Sequence, residues 1–142
     1  MTKEVSDASR VFEIEANALL ALRSRLESHA AAEALTRAVD LMASCQGKVV
    51  IAGMGKSGLV GRKIAATLSS TGTPSVFLHP AEGSHGDLGV IGSQDVVVGI
   101  SYGGETPELE SLLRYVARKN LSLIAITGNP LSTLGKAGMI CL

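Results

Sequence analysis

Tryptophan is missing from this chain, and its aromatic residues are two phenylalanines and two tyrosines, Phe12, Phe77, Tyr102 and Tyr115. Any core must therefore be aliphatic. An excess of charge is missing as well, because 13 Lys and Arg face 13 Asp and Glu. Without a basic block there is no footprint for a nucleic-acid backbone, and without strong net charge the composition is not that of a disordered tail. No segment approaches the roughly 20 apolar residues of a membrane-spanning helix, and no N-terminal run joins basic residues to an unbroken apolar stretch. Cysteine is scarce. Cys45 and Cys141 lie far apart on apolar segments, which excludes a disulfide-framed secreted scaffold and predicts buried free thiols in a soluble, cytoplasmic protein.

What the chain has instead is a hydrophobic fraction of 46%, enough for one domain in 142 residues. It also has 16 glycines, a share above the usual ~7%, many of them clustered. From Lys3 to about His29, Phe12, Ala16, Leu19, Leu22 and Leu26 recur at helical spacing between charged residues. A second helical pattern from about Ala31 to Cys45 stops at Gly47. Residues 1–46 thus form a helical lead-in expected to pack on residues 47–142. The pattern then switches to short apolar runs at Lys48–Ala52, Ser75–His79, Asp95–Ile100 and Leu121–Ile126. Helical patterns at Ser57–Ser70 and Glu105–Lys119 separate the first run from the second and the third from the fourth, and a polar loop from Pro80 to Gln94 separates the second from the third. Asn129-Pro130 opens a short helix ending near Gly138, and Met139–Leu142 reads as the start of a fifth strand. Strand alternating with helix predicts a three-layer αβα, doubly wound parallel sheet. In the flavodoxin-like order 2-1-3-4-5, ligands bind between the carboxyl ends of strands one and three.

The loop after strand one is Gly53-Met-Gly55-Lys56-Ser57-Gly58. Val50 stands where a P-loop needs its first glycine, so that reading is poor. The letters fit a dinucleotide fingerprint, but His79 and Pro80 occupy the strand-two end where the ribose needs a carboxylate, and Glu82 comes late. The remaining reading is a small phosphorylated ligand on bare amides and the Ser57 hydroxyl, with Lys56 adding charge. Ser101-Tyr-Gly103-Gly104-Glu-Thr106-Pro107-Glu108 follows strand three. Its glycines admit a ligand to the backbone and Ser101 and Thr106 supply hydroxyls, although Thr106 equally suits a helix N-cap.

Those two loops, together with Gly72-Thr-Pro-Ser-Val-Phe-Leu-His-Pro-Ala-Glu-Gly-Ser-His-Gly-Asp-Leu-Gly89, resemble the sugar isomerase (SIS) domain of D-arabinose 5-phosphate isomerases across nearly the whole chain. The resemblance implies interconversion of D-ribulose 5-phosphate and D-arabinose 5-phosphate, feeding 3-deoxy-D-manno-octulosonate and lipopolysaccharide synthesis. It also implies no cofactor, a homotetramer, and CBS domains in a full-length chain. It assigns phosphate binding to Gly55, Ser57, Ser101, Gly103, Gly104 and Thr106, with Gly103 standing where the family has a second serine. Its active-site lysine falls on Lys56 and its proposed catalytic glutamate on Glu108. A further glutamate and histidine would lie beyond Leu142, so the chain is expected to be part of a longer domain.

Isomerisation through an enediol needs a base and a positive group for the oxyanion. Glu108 and Lys56 are assigned to these roles. The plain alternatives are a first-turn carboxylate facing a helix dipole and a solvated surface charge. His79, Glu82 and His85 are expected to line the sugar pocket, with His85 assisting ring opening or proton transfer. His85 and Glu82 could also ligate zinc, but their spacing is not that of a compact structural site, and no metal is assigned. The rival reading is a non-catalytic phosphosugar sensor, and the N-terminal helices suit an assembly surface.

Overall fold

A computed structural model describes residues 2–142, without the side chains of residues 83–85. The chain divides into two compact units, residues 1–35 and 36–142. The first contains α1 (Lys3–Leu26) and the opening of α2 (His29–Ala43). The Thr2 hydroxyl accepts the Val5 amide, Glu4 sits in the first turn, and Arg23 and Arg25 sit in the last, the charge order that the helix dipole favours. α1 ends at Leu26 rather than near His29, because the Glu27 and Ser28 amides turn back to the carbonyls of Ser24 and Arg25. No residue of α1 is buried. No helix among the described residues is long and apolar enough to cross a membrane.

The second unit is built on a five-stranded parallel sheet: β1 (Val49–Gly53), β2 (Ser75–Leu78), β3 (Val96–Ile100), β4 (Ser122–Ile126) and β5 (Ile140–Cys141). Its order is β2-β1-β3-β4-β5, the doubly wound arrangement that the strand–helix alternation predicts. All of β1 and β3 is buried, as unbroken apolar strands require cover on both faces. On one face Val50, Ala52, Val97, Leu123 and Ala125 pack with Leu112 and Val116 of α4 (Glu110–Lys119) and Leu134 of α5 (Thr133–Ala137). On the other, α3 (Gly55–Ser70) approaches so closely that a Cβ on Gly61 would stand 3.2 Å from Ile51 and 3.1 Å from Phe77.

Several boundaries differ from the sequence pattern, each for a local reason. α3 begins at Gly55, two residues before Ser57, once Gly55 takes φ +52° and the Gly58 amide bonds the Met54 carbonyl. Residues 105 and 106 are not helical; Pro107–Leu109 forms a 3-10 turn and α4 starts only at Glu110. α5 starts at Thr133 rather than Asn129, since the Ser132 hydroxyl caps it through the Gly135 amide while Asn129 makes a turn with the Leu131 amide. The loop from Pro80 contains two 3-10 turns, Pro80–His85 and Asp87–Val90. Cys45 and Cys141 are free thiols, half-buried rather than fully so.

At the amino ends of β1 and β3, Asp95 staples the strands together. It accepts the Lys48 amide at 2.9 Å, the Lys48 Nζ at 2.6 Å and the Gly92 amide at 2.8 Å. Burial pushes the Asp95 carboxyl up, but the bonds from Lys48 and Gly92 and the Lys48 charge outweigh it and hold the carboxyl below its ordinary range.

Candidate functional site

The opposite end of the sheet is where the two glycine loops emerge. β1 and β3 pair in register from Val49 with Val96 to Gly53 with Ile100, so both strands end level and release residues 53–58 and 101–106 side by side. β2 lies on the other side of β1, which makes this gap the switch point of the sheet.

α3 opens without a side-chain cap at Met54. Its first helical bond comes from Gly58, so the amides of Gly55, Lys56 and Ser57 precede the ladder at the positive end of the helix. Lys56 is exposed and Ser57 half-buried. The glycines divide into two groups. A Cβ on Gly58 would stand 2.6 Å from the Gly53 carbonyl, and one on Gly53 3.1 Å from the Ile100 carbonyl, so these two serve packing of α3 on the sheet. Gly55 and Gly103 have nothing within 4 Å of an added Cβ and leave open space. Of these four glycines, Gly55 and Gly103 are thus the ones whose missing side chain faces open space.

In the loop after β3, Ser101 is only 5% exposed. Its Oγ accepts the Gly104 amide at 3.0 Å and lies 2.7 Å from Thr106 Oγ1. Thr106 begins the 3-10 turn, but its side chain makes no capping bond. Its hydroxyl is paired with Ser101 instead, which decides against the N-cap alternative. Pro107 occupies the first position of the turn as expected, and Glu108 follows it, exposed.

The loop after β2 is also at this end. His79 packs edge-on against Phe77, with ring centroids 6.4 Å apart, and its Nδ1 is buried with no hydrogen-bond partner among the described residues. Glu82 is exposed. The side chain of His85 lies outside the described residues, so the placement of that expected catalytic group is not part of this geometry. Among the described residues no group of three His, Cys, Asp or Glu side chains converges.

Sequence reasoning missed the support beneath the second loop. Gly104 takes φ +72°, and a Cβ there would lie 1.9 Å from Ser132 Oγ. Its carbonyl accepts the Leu134 amide at 3.0 Å. Glu105 accepts the Thr133 amide at 2.8 Å and the Thr133 hydroxyl at 2.6 Å. The Ser132-Thr133 pair before an apolar turn is a readable capping pattern. Glu105 carries no local signal, because its partner is 28 residues away.

Comparison with known proteins matches the SIS domain model to residues 42–142. The chain is 46% identical over 136 residues to arabinose 5-phosphate isomerase KdsD of Pseudomonas aeruginosa, covering 96% of this chain and 40% of that protein. It is 54% identical over 101 residues to arabinose 5-phosphate isomerase GutQ of Escherichia coli K12, covering 71% of this chain and 32% of that one. It thus spans well under half the length of these curated relatives. Among solved structures, an E. coli CFT073 protein in complex with arabinose 5-phosphate superposes with a TM-score of 0.83 at 37% identity, over 99% of this chain and 73% of that one. A Listeria monocytogenes protein provisionally assigned as a sugar-phosphate isomerase gives 0.87 at 36%, over 99% and 72%. Since the match takes in every strand and both loops at the switch point, the chain belongs to the SIS domain family.

Proposed function

We propose that this chain is the phosphosugar-handling part of an aldose–ketose isomerase interconverting D-ribulose 5-phosphate and D-arabinose 5-phosphate. The observation that carries the reading is the level pairing of Gly53 with Ile100, which sets a bare helix start beside a hydroxyl-bearing glycine loop. The likeness to arabinose 5-phosphate isomerases narrows the substrate class.

The substrate phosphate is bound by the amides at the start of α3, by Gly55 and the Ser57 hydroxyl, and by the floor of Gly103 and Gly104. Ser101 acts through its neighbour: its oxygen accepts the Gly104 amide and its hydroxyl is paired with that of Thr106, and in this reading Ser101 is the donor of that pair, which leaves the Thr106 proton for the anion. Glu108 moves the proton between C1 and C2, and Lys56 stabilises the enediolate oxygen. His79 and Glu82 line the sugar end, and His85 assists ring opening or proton transfer. Aldose and ketose are isomers, so no electrons leave the substrate and no redox cofactor is consumed. The same reading makes the working form a cytoplasmic homotetramer, with CBS domains in a full-length chain and a product that feeds lipopolysaccharide synthesis.

A coupled assay on ribulose 5-phosphate tests the assignment. Glu108→Gln is expected to lower turnover about 10²–10⁴-fold, and Lys56→Ala to lower it as well; undiminished turnover removes that residue from the mechanism. Full activity in chelator is expected, and its loss would restore a zinc role for Glu82 and His85. The open space at Gly103 favours a second reading, a phosphosugar sensor with one hydroxyl fewer for its ligand. Thermal stabilisation by arabinose 5-phosphate without turnover would select it.

A further inference from the structure

We propose that Glu105 is the positioning residue of this site: its bidentate grip on Thr133 seats the loop after β3 on the β4–α5 connection and fixes where Gly103 and the Ser101–Thr106 pair meet an anion. The inference rests on the sugar-phosphate reading of that loop.

All the ties that this loop makes to residues 127–134 point the same way. The Tyr102 carbonyl accepts the Gly128 amide at 2.9 Å and the Thr127 hydroxyl at 3.2 Å. The Gly104 carbonyl accepts the Leu134 amide at 3.0 Å, and Gly104 lies directly on Ser132. Glu105 closes the row with two bonds to Thr133, at 2.8 Å and 2.6 Å. The residue after it is Thr106, whose Oγ1 is 2.7 Å from Ser101 Oγ, a spacing that a small shift of the backbone would break.

Charge makes the orientation matter. A carboxylate beside an anion site repels its ligand unless it is occupied elsewhere, and here both oxygens face Thr133. Hydrogen bonds from the Thr133 side chain and amide, with Lys136 adding to them, hold the Glu105 carboxyl below its ordinary range, so the grip is in place at neutral pH. Glu105 is exposed, so its removal opens no cavity and a general stabilising role is not required.

The test measures binding of arabinose 5-phosphate, with inorganic phosphate as a second probe, by calorimetry on the 142-residue chain and on Glu105→Ala, Glu105→Gln, Thr133→Val and the Ala/Val double variant. Amide hydrogen exchange is followed in parallel. Glu105→Ala is expected to raise Kd about tenfold and to speed exchange at the Gly104 amide while β1 and β3 amides keep their protection. Glu105→Gln, which keeps one acceptor, should fall between, and the double variant should be no weaker than Glu105→Ala. Wild-type affinity in Glu105→Ala would overturn the inference, as would exchange speeded equally in β1 and β3. If the unaltered chain binds neither probe, the sugar-phosphate reading fails and this inference with it.

Discussion

Gly103 and Gly104 are neighbours with opposite constraints. Gly104 is held at φ +72° with no room for a Cβ, whereas Gly103 has open space and lies outside the left-handed region. Gly104→Ala is therefore expected to destabilise the fold by about 1–3 kcal/mol, read as a lowered Tm, and to weaken ligand binding with it. Gly103→Ser should fold normally and supply a hydroxyl to the anion, strengthening phosphosugar binding by about 1.5–3 kcal/mol, which calorimetry would read as a Kd at least tenfold lower. An unchanged Kd would mean that the loop amides already satisfy the ligand at this point. The letters Gly-Gly are the same in both places. What separates them is Ser132, a contact made across the fold, so sequence could mark the cluster but not divide its labour.

At the scale of elements, legibility followed the range of the interactions that set each boundary. β1 and β3 were readable because their burial on both faces is written as continuous Val and Ile. The helical pattern in the sequence starts at Ser57, two residues after the observed start of α3, because a left-handed Gly55 fixes that start. The sequence pattern begins α4 at Glu105, but Ser101 takes the Thr106 hydroxyl and the α-helix proper starts only at Glu110. The closeness of α3 to β1 makes a further test. A methyl group on Gly58 would stand 2.6 Å from the Gly53 carbonyl, so Gly58→Ala is expected to lift the helix start and cost about 1–3 kcal/mol in a denaturant titration. Its ligand affinity should fall too, since the amides of residues 55–57 move with the helix. On the other face Leu134 is fully buried, and a Cβ on Gly99 would lie 2.8 Å from it. Truncating Leu134 to Ala should cost about 2–5 kcal/mol.

For the whole molecule, the sheet has a stapled end and, opposite it, the end that carries the candidate site. The topology was legible because strand and helix alternate; the pairings of Lys48 with Asp95 and Thr133 with Glu105 were not, because their partners lie 47 and 28 residues apart. Asp95 makes the staple sensitive to acid. Its folded-state pKa is lowered, so its contribution is complete above the ordinary carboxylate range and is lost as pH falls through the folded value. Asp95→Asn should cost about 1–3 kcal/mol at pH 7, and the gap to the unaltered chain should close below about pH 4; a gap independent of pH would refute the assignment. The pairing of β1 with both β2 and β3 also bears on synthesis. β1 meets β2 across α3, but its other edge, buried in the finished sheet, waits until Val96–Ile100 has been made. A ribosome adding about 5–20 residues per second leaves that apolar edge unpaired for seconds, and Asp95 immediately precedes the strand that closes it. The residue that ties β3 to the start of β1 through Lys48 is thus made immediately before the strand that covers this edge.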